Sequence, residues 1–348
     1  MSADRTTAVA HGGRARLMHL MARGAAFLGV EYAIMGGAMS WVSERNLVAA
    51  ISNGGGFGVI ACGAMGPERL SEEIAATAAL TDKPFGVNII TLHPDFAALV
   101  EACARAACRH IVLAGGLPPG YAIERLKEAD KRVICFAPSL ALARKLIRSG
   151  VDALVIEGSE AGGHIGPVST AVLAQEILPA IDEVPVFVAG GIGRGEAIGA
   201  YLLMGAAGVQ LGTRFVCASE SVAHENFKRA FIRASSRDAV PSVQLDPRFP
   251  VIPVRALRNA SSRRFLEVQR EAIERVDRGE LDKAQAQLMI ENFWGGALRR
   301  AVIDGDVETG SVMAGQSVGM VRAIEPAADI ISALVREAAG HLERCDCI

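Results

Sequence analysis

Short apolar runs return at a regular interval along the first two thirds of the chain, and this recurrence restricts the possible folds more than any other feature. Candidate strands fall at 33–39, 56–62, 85–91, 110–115, 132–137, 153–157, 185–190 and 209–215. Between them lie stretches with apolar residues at helical spacing, at 43–53, 67–80, 94–107, 120–129, 139–149, 170–181 and 194–204. Strand-length runs rich in Val and Ile, alternating with amphipathic helices, predict a parallel sheet covered by helices. Eight such units predict a closed (β/α)8 TIM barrel. The competing open, doubly wound sheet has fewer strands and a Gly-rich first turn. Here the glycines follow the first, fourth, sixth and seventh strands.

Beyond residue 215 the rhythm changes. Residues 221–310 read mostly as helix with charged faces, and "AVPSVQLDPRFPVIPVRAL" holds four of the fourteen prolines. The expected organisation is a poorly ordered leader at 1–29, the barrel at 30–220, a helical lid subdomain at 221–310, and a return to the barrel at 311–348 with a last helix at 327–345. The leader is basic and Ala/Gly-rich, with no apolar segment of signal-peptide length before a cleavage site. Translation from Met21 would omit most of it.

Composition removes several function classes. A net charge of -2 gives no reason to expect nucleic acid or an anionic membrane as partner. No apolar stretch approaches the ~18 residues of a membrane span. The seven cysteines (62, 103, 108, 135, 217, 345 and 347) show no metal-ligand spacing, so the expectation is a cytoplasmic protein with free thiols and no metal. Aromatics at 5% and 37 glycines suit backbone contacts to a ligand better than a stacking platform for bases.

In a barrel, chemistry gathers beyond the carboxyl ends of the strands. "PVFVAGGIGRGEA" reads as strand, glycine turn and helix, and "VQLGTRF" as a strand ending in Gly-Thr. Glycines in the seventh and eighth units let backbone N–H groups face phosphate oxygens, and the Thr213 hydroxyl adds a donor. A dinucleotide fingerprint fails here, because the third glycine of the motif is missing and no acid ends the next strand. The stretch "EGSEAGGHIGP" (157–167) is the other unusual strand end. Its small residues admit something close to the backbone, and His164 stands beside that space. Glu157 and Glu160 read more naturally as loop carboxylates, solvated or bonded to loop N–H groups, than as an acid/base pair. Trp41 suits a substrate wall and a packed core position equally. These residues alone indicate a phosphate-bearing ligand.

The stretches "MGGAMSWV", "LTDKPFGVNI", "EGSEAGGHIG", "VAGGIGRGEA", "GVQLGTRF" and "GDVETGSVMAGQSVGMV" resemble the FMN-dependent barrel group of the nitronate monooxygenases (2-nitropropane dioxygenases) and the type II flavoprotein enoyl-acyl-carrier-protein reductases. The resemblance runs from about residue 30 to 335, and the GTRF and GSVMAGQ stretches are more similar to the enoyl reductase branch. It implies that Ala38, Met39, Ser40 and Asn88 flank an FMN and that Gly163 packs at its ring. Ala189, Gly190, Gly191, Gly212 and Thr213 would hold the phosphate, with His164 at the reactive face. It also implies NADH or NADPH as electron donor and an enoyl thioester as substrate, with acyl carrier protein a candidate partner. A nitronate oxidised with O2 is the alternative, and a non-catalytic phosphate-ligand barrel is the alternative of another class. Family members often carry Gln where this chain has Gly36, which weakens the expectation for the first strand. The helices of 221–310 suit either a lid over the mouth or a homodimer contact.

Overall fold

The structure, a computed structural model, describes residues 12–345. The apolar runs become strands β1 (Ile34–Gly36), β2 (Gly58–Ala61), β3 (Phe85–Ile90), β4 (His110–Ala114), β5 (Arg132–Phe136), β6 (Ala153–Glu157), β8 (Val186–Ala189) and β9 (Gly208–Leu211), with the two-residue strand β7 (Gly163–His164) after β6. All but β7 form one parallel sheet in the order β1-β9-β8-β6-β5-β4-β3-β2. Its ends meet where Met35 bridges Phe57, with the Gly36 N–H on the Phe57 carbonyl at 2.8 Å and the Phe57 N–H on the Ile34 carbonyl at 2.9 Å. Eight parallel strands thus close into the (β/α)8 barrel.

The crossovers are α2 (Arg45–Asn53), α3 (Pro67–Ala78), α4 (Phe96–Arg105), α5 (Gly120–Glu128), α6 (Leu140–Arg148), α7 (Thr170–Ile177) and α8 (Gly195–Leu203). Local chemistry marks their starts: the Glu44 carboxylate accepts from the N–H groups of Asn46 and Leu47, Ser139 accepts from Leu142, and Pro67 opens α3. Helix α1 (Gly13–Leu28) precedes the barrel. After β9 come the short α9 (Thr213–Val216), α10 (Glu225–Arg233), the hairpin strands β10 (Ala239–Pro241) and β11 (Val254–Leu257), α11 (Ala260–Asp277), α12 (Lys283–Val302) and α13 (Ala327–Cys345).

Strand register determines which side chains face inward, because residues paired across parallel strands share a face. A Cβ at Gly86 would meet the Phe57 ring at 3.0 Å, and one at Gly208 would meet the Phe187 ring at 2.8 Å, so these positions point into the barrel. Following the pairs from them, Asn88, Val112, Ile134, Val155, Phe187, Gln210 and Met35 also face inward. The opposite parity faces the helices: a Cβ at Gly36 would lie 2.6 Å from Ile51 of α2. At the amino end, Phe27 plugs the barrel. Its ring centroid lies 5.4 Å from that of His110 and 6.3 Å from that of Phe187, and its carbonyl accepts from His110 Nε2 at 2.9 Å and from Arg132.

Three expectations need correction. Residues 13–28 of the presumed leader form a helix whose Leu17, Met21 and Leu28 are fully buried, because they lie on one stripe facing α13 and the barrel floor. Residues 1–11 lie outside the described residues. The eighth strand stops at Leu211, and Thr213 opens α9 instead of continuing the strand. The segment 221–310 is not only helical. β10 and β11 pair antiparallel and β11 pairs with β7, so a barrel loop and the lid share a three-stranded sheet. A second apolar cluster, including Phe249, Phe265, Ile290 and Trp294, sits within this segment. The last helix returns to the barrel by packing on α8, where Gly195 is required: a Cβ there would fall 2.2 Å from the Leu334 carbonyl oxygen.

Candidate active site

The turn after β1 is held by a buried serine that the sequence did not single out. Ser43 Oγ donates to the Gly37 carbonyl at 2.9 Å and accepts the Met39 N–H at 3.0 Å. This turn carries Ala38, Met39 and Ser40, all half-buried. The Met39 thioether reaches across to β9, 3.4 Å from where a Cβ at Gly212 would lie. Trp41 follows with φ 68°, a left-handed conformation rarely held by a bulky residue and often found near functional sites. The Arg299 guanidinium of α12 lies 5.8 Å from its ring centroid, so the first βα loop touches the lid. Asn88 is buried on the inner face of β3 and donates from Nδ2 to the Val112 carbonyl at 3.3 Å.

The seventh and eighth units form two adjoining corners. The backbone N–H groups of Gly191, Ile192 and Gly193, and of Thr213 and Arg214 at the start of α9, take no acceptor among the described residues. Unpaired donors at two such corners suit an anionic ligand. Thr213 Oγ1 accepts the Gly315 N–H at 3.0 Å, which leaves its hydroxyl proton free to donate. The corners communicate through Glu160, whose Cβ lies 2.9 Å from a Cβ built at Gly191 and whose carbonyl oxygen lies 2.8 Å from one at Gly315. Ala189 is buried, and its carbonyl accepts the Gly158 N–H at 3.1 Å.

The His164 loop is fixed at both ends. Glu160 Oε2 accepts the Thr170 N–H at 2.9 Å, and the Thr170 hydroxyl lies at the same distance. This fits the reading of that acid as a loop carboxylate. On the other side, Val254 of β11 pairs with His164, and the Ile165 N–H donates to the Pro253 carbonyl at 2.9 Å. Arg255, buried in β11, donates to the carbonyls of Ser159 at 2.9 Å and Ala239 at 2.6 Å. The His164 ring makes no hydrogen bond to a described residue. It is solvent-accessible, yet surrounding protein displaces enough water to lower its pKa from the ordinary value, which favours the neutral imidazole with its one donor and one acceptor.

Not every small residue at these strand ends leaves room for a ligand. Gly36 packs on α2, and a Cβ at Gly162 would fall 2.6 Å from the Gly315 nitrogen, so Gly162 makes room for the returning segment 310–316. Gly163 (φ 78°) faces only the Met313 sulfur, 3.6 Å from its built Cβ. Gly190 is likewise a packing position, since a Cβ there would lie 2.9 Å from the backbone N and O of Gly158. The residues missed from sequence are Ser43, Arg255 and Gln210. Gln210 was detectable as a lone amide inside an apolar strand. It is buried and faces inward, with Nε2 3.5 Å from a Cβ built at Gly37. A separate open depression of about 420 Å3, lined by Lys83, Arg109 and Arg132 among others, lies at the amino end of the barrel and contains none of these residues.

A barrel whose carboxyl rim joins two corners of unpaired N–H groups, a free hydroxyl proton and a neutral imidazole has the donor set that a phosphate-bearing organic cofactor needs. Such a site suits a barrel that holds a phosphate-bearing organic ligand. The model of one such family, described as nitronate monooxygenase, matches residues 22–337, and the chain belongs to that family. It is an FMN-dependent oxidoreductase family. A Mycobacterium tuberculosis (strain ATCC 25618 / H37Rv) protein named (3aS,4S,5R,7aS)-5-hydroxy-7a-methyl-1-oxo-octahydro-1H-indene-4-carboxyl-CoA dehydrogenase is 32% identical over 340 residues, covering 91% of this chain and 95% of the relative. A probable nitronate monooxygenase of Staphylococcus aureus (strain MSSA476) is 30% identical over 258 residues, covering 61% of this chain and 72% of that protein. The solved structure of FabK from Thermotoga maritima superposes with a TM-score of 0.84 and 37% identity, covering 93% of this chain and 98% of the other. The chain is therefore an oxidoreductase enzyme. Among the described residues no helix is long and apolar enough to cross a membrane.

Proposed function

We propose that this chain is an FMN-dependent reductase of α,β-unsaturated acyl thioesters that draws its electrons from NADH or NADPH. The observation that carries this reading is segment 310–316, the GSVMAGQ motif of the enoyl reductase branch. It closes on the site by giving the Gly315 N–H to Thr213 and packing against Gly162. Likeness along nearly the whole chain to FabK, and to a relative named for an acyl-CoA substrate, supports it further.

Gly191, Ile192, Gly193, Thr213 and Arg214 hold the cofactor's phosphate through their N–H groups and the Thr213 hydroxyl. Asn88, Gly163 and the turn of Ala38, Met39 and Ser40 border its ring, with Ala189, Gly190 and Gly212 shaping the backbone around the phosphate. Bound FMN supplies hydride acceptance from the nucleotide and hydride donation to the β-carbon of the thioester. The neutral His164 donates to the thioester carbonyl and stabilises negative charge developing on that oxygen, and the α-carbon then takes its proton from water. The segment 221–310 acts as a lid, since β11 pairs with the strand that carries His164 and α12 reaches Trp41. The acyl group arrives on coenzyme A or an acyl carrier protein, in a cytoplasmic setting.

The deciding experiment is anaerobic mixing of the yellow enzyme with NADH or NADPH. Bleaching within the turnover time supports the reductase. The family match favours one second reading, oxidation of alkyl nitronates, and oxygen uptake with propyl-2-nitronate without nucleotide would establish that instead. In either assay His164→Ala is expected to keep FMN bound and to slow turnover by roughly 10²–10⁴-fold. Unchanged turnover would remove His164 from the chemistry.

A further inference from the structure

The floor of the barrel holds a second concavity, which the function proposed above does not use. It opens beside the starts of β3, β4 and β5, has a volume of about 420 Å3, and includes Leu28, Pro84 and Phe85 in its apolar lining. Lys83, Arg109 and Arg132 reach it from three different segments, against one acid, Asp82. A space of this size holds a small organic molecule. The amino face of such a barrel ordinarily serves stability, and stability gives no reason for cations to converge there.

Arg132 is the most telling of the three. It is half-buried, with its guanidinium 5.2 Å from the Phe27 ring centroid and donating to the Phe27 carbonyl, and among the described residues no carboxylate pairs with it. A guanidinium carries five N–H donors, so most of this fork is left over. Lys83 and Arg109 do meet acids, Asp82 at 3.8 Å and Asp130 at 3.3 Å, but those carboxylates are 86% and 90% exposed. Such pairs are weak and yield to a better-placed anion.

The walls are fixed before any ligand arrives. The Lys83 N–H donates to Thr81 Oγ1 at 3.0 Å, and the Pro84 carbonyl accepts from Ser52 Oγ at the same distance. Lys131 Nζ donates to the carbonyls of Ala106 and Cys108, which holds the loop that presents Arg109. A Cβ at Gly29 would lie 3.2 Å from the Pro84 ring, so the end of α1 closes against the entry to β3. A preformed cleft lined by cations and apolar carbon selects an anion borne on an apolar body. Three cations call for more than one negative charge, and a guanidinium fork matches phosphate oxygens bidentately.

We propose that this cleft is a binding site for a phosphate monoester carried on an aromatic or other apolar body, separate from the rim that carries His164. Occupation of the floor is independent of the reaction performed at that rim.

The probe is 1-naphthyl phosphate, titrated by calorimetry into the full-length protein after loading with FMN and removal of the excess. One probe should bind per chain, and its Kd should rise roughly tenfold between about 0.02 M and 0.5 M NaCl. 1-Naphthol, which lacks the charge, and inorganic phosphate, which lacks the body, should each bind at least about tenfold more weakly. Arg132→Gln should raise the Kd by roughly 10–100-fold. Because Arg132 also braces Phe27, the exposed pair Lys83→Glu and Arg109→Glu is measured beside it. This double variant should weaken the probe by at least about tenfold while keeping its urea midpoint near that of the wild-type protein. An unchanged Kd in a variant that keeps its fold, equal binding of 1-naphthol or of inorganic phosphate, or no saturable binding would overturn the proposal. A protein that takes up no FMN would sink the cofactor reading and leave these comparisons intact, because the substitutions lie at the floor alone.

Discussion

Acidification should weaken this fold through one residue at the closed end of the barrel. His110 is 4% exposed, its Nε2 lies 2.9 Å from the Phe27 carbonyl, and its Nδ1 is buried without a partner. The Nε2–H must point at the carbonyl, so a second proton on Nδ1 would be a buried charge without an acceptor. Desolvation by burial is the main reason that its pKa falls from 6.5 to about 4, with Arg132 and Arg109 adding to the effect. Because the folded state binds this proton less tightly than the unfolded chain does, the contribution is fully present above pH 6.5 and is lost as pH falls toward 4. The whole difference is about 3 kcal/mol, of which about 2 kcal/mol is gone by pH 5. Urea unfolding at pH 7.5 and pH 5, for the wild-type protein and His110→Gln, isolates this contribution. The glutamine can still donate to Phe27 but does not titrate. Other acid-sensitive groups cancel in the difference between the two proteins. The variant should start less stable, having lost ring packing against Phe27 and Phe57, yet should lose about 2 kcal/mol less on acidification. Equal losses in both proteins would show that His110 does not carry this pH dependence.

Two further outcomes separate folding from cofactor binding. Thr213→Val removes both the acceptor for the Gly315 N–H and the proposed donor to phosphate, so FMN affinity should fall and unfolding free energy should drop by about 1–3 kcal/mol, while Thr213→Ser should restore both, as read by flavin titration and urea midpoints. Leu17→Ala in α1 should cost about 2–5 kcal/mol by denaturant unfolding, the range for a fully buried leucine. A near-neutral result there would restore the picture of a dispensable leader.

The barrel was legible because its signal is local. Each strand is a short apolar run and each crossover a helical stripe, so eight units could be counted without knowing any contact. Position relative to strand ends then located His164, Asn88, Gly190, Gly191, Gly212 and Thr213 at one rim. Helix α1 was harder to read. Its Leu17, Met21 and Leu28 recur at helical spacing, but the Ala/Gly-rich stretch around them resembles a frayed terminus until α13 supplies a partner from the far end of the chain. The shared sheet was invisible for a similar reason. β7 has two residues, and only pairing with β11, about ninety positions later, makes them a strand.

The glycines of "EGSEAGGHIGP" show how such a misreading arises and what it implies for the site. A glycine in a sequence says that a side chain is excluded, but not what fills the space. Here Gly162 yields to the backbone of Gly315, so the closest approach to this loop is made by the chain itself. His164 is consequently held between two distant segments, β11 on one side and 310–316 on the other, instead of resting on a cofactor-shaped hollow. β11 and the return segment therefore set where the imidazole stands, which couples the placement of His164 to elements that differ most in length and sequence from one barrel enzyme to the next. In the function proposed above, the phosphate corners would hold the cofactor, and the lid, through β11, would decide which substrate carbonyl the imidazole can reach.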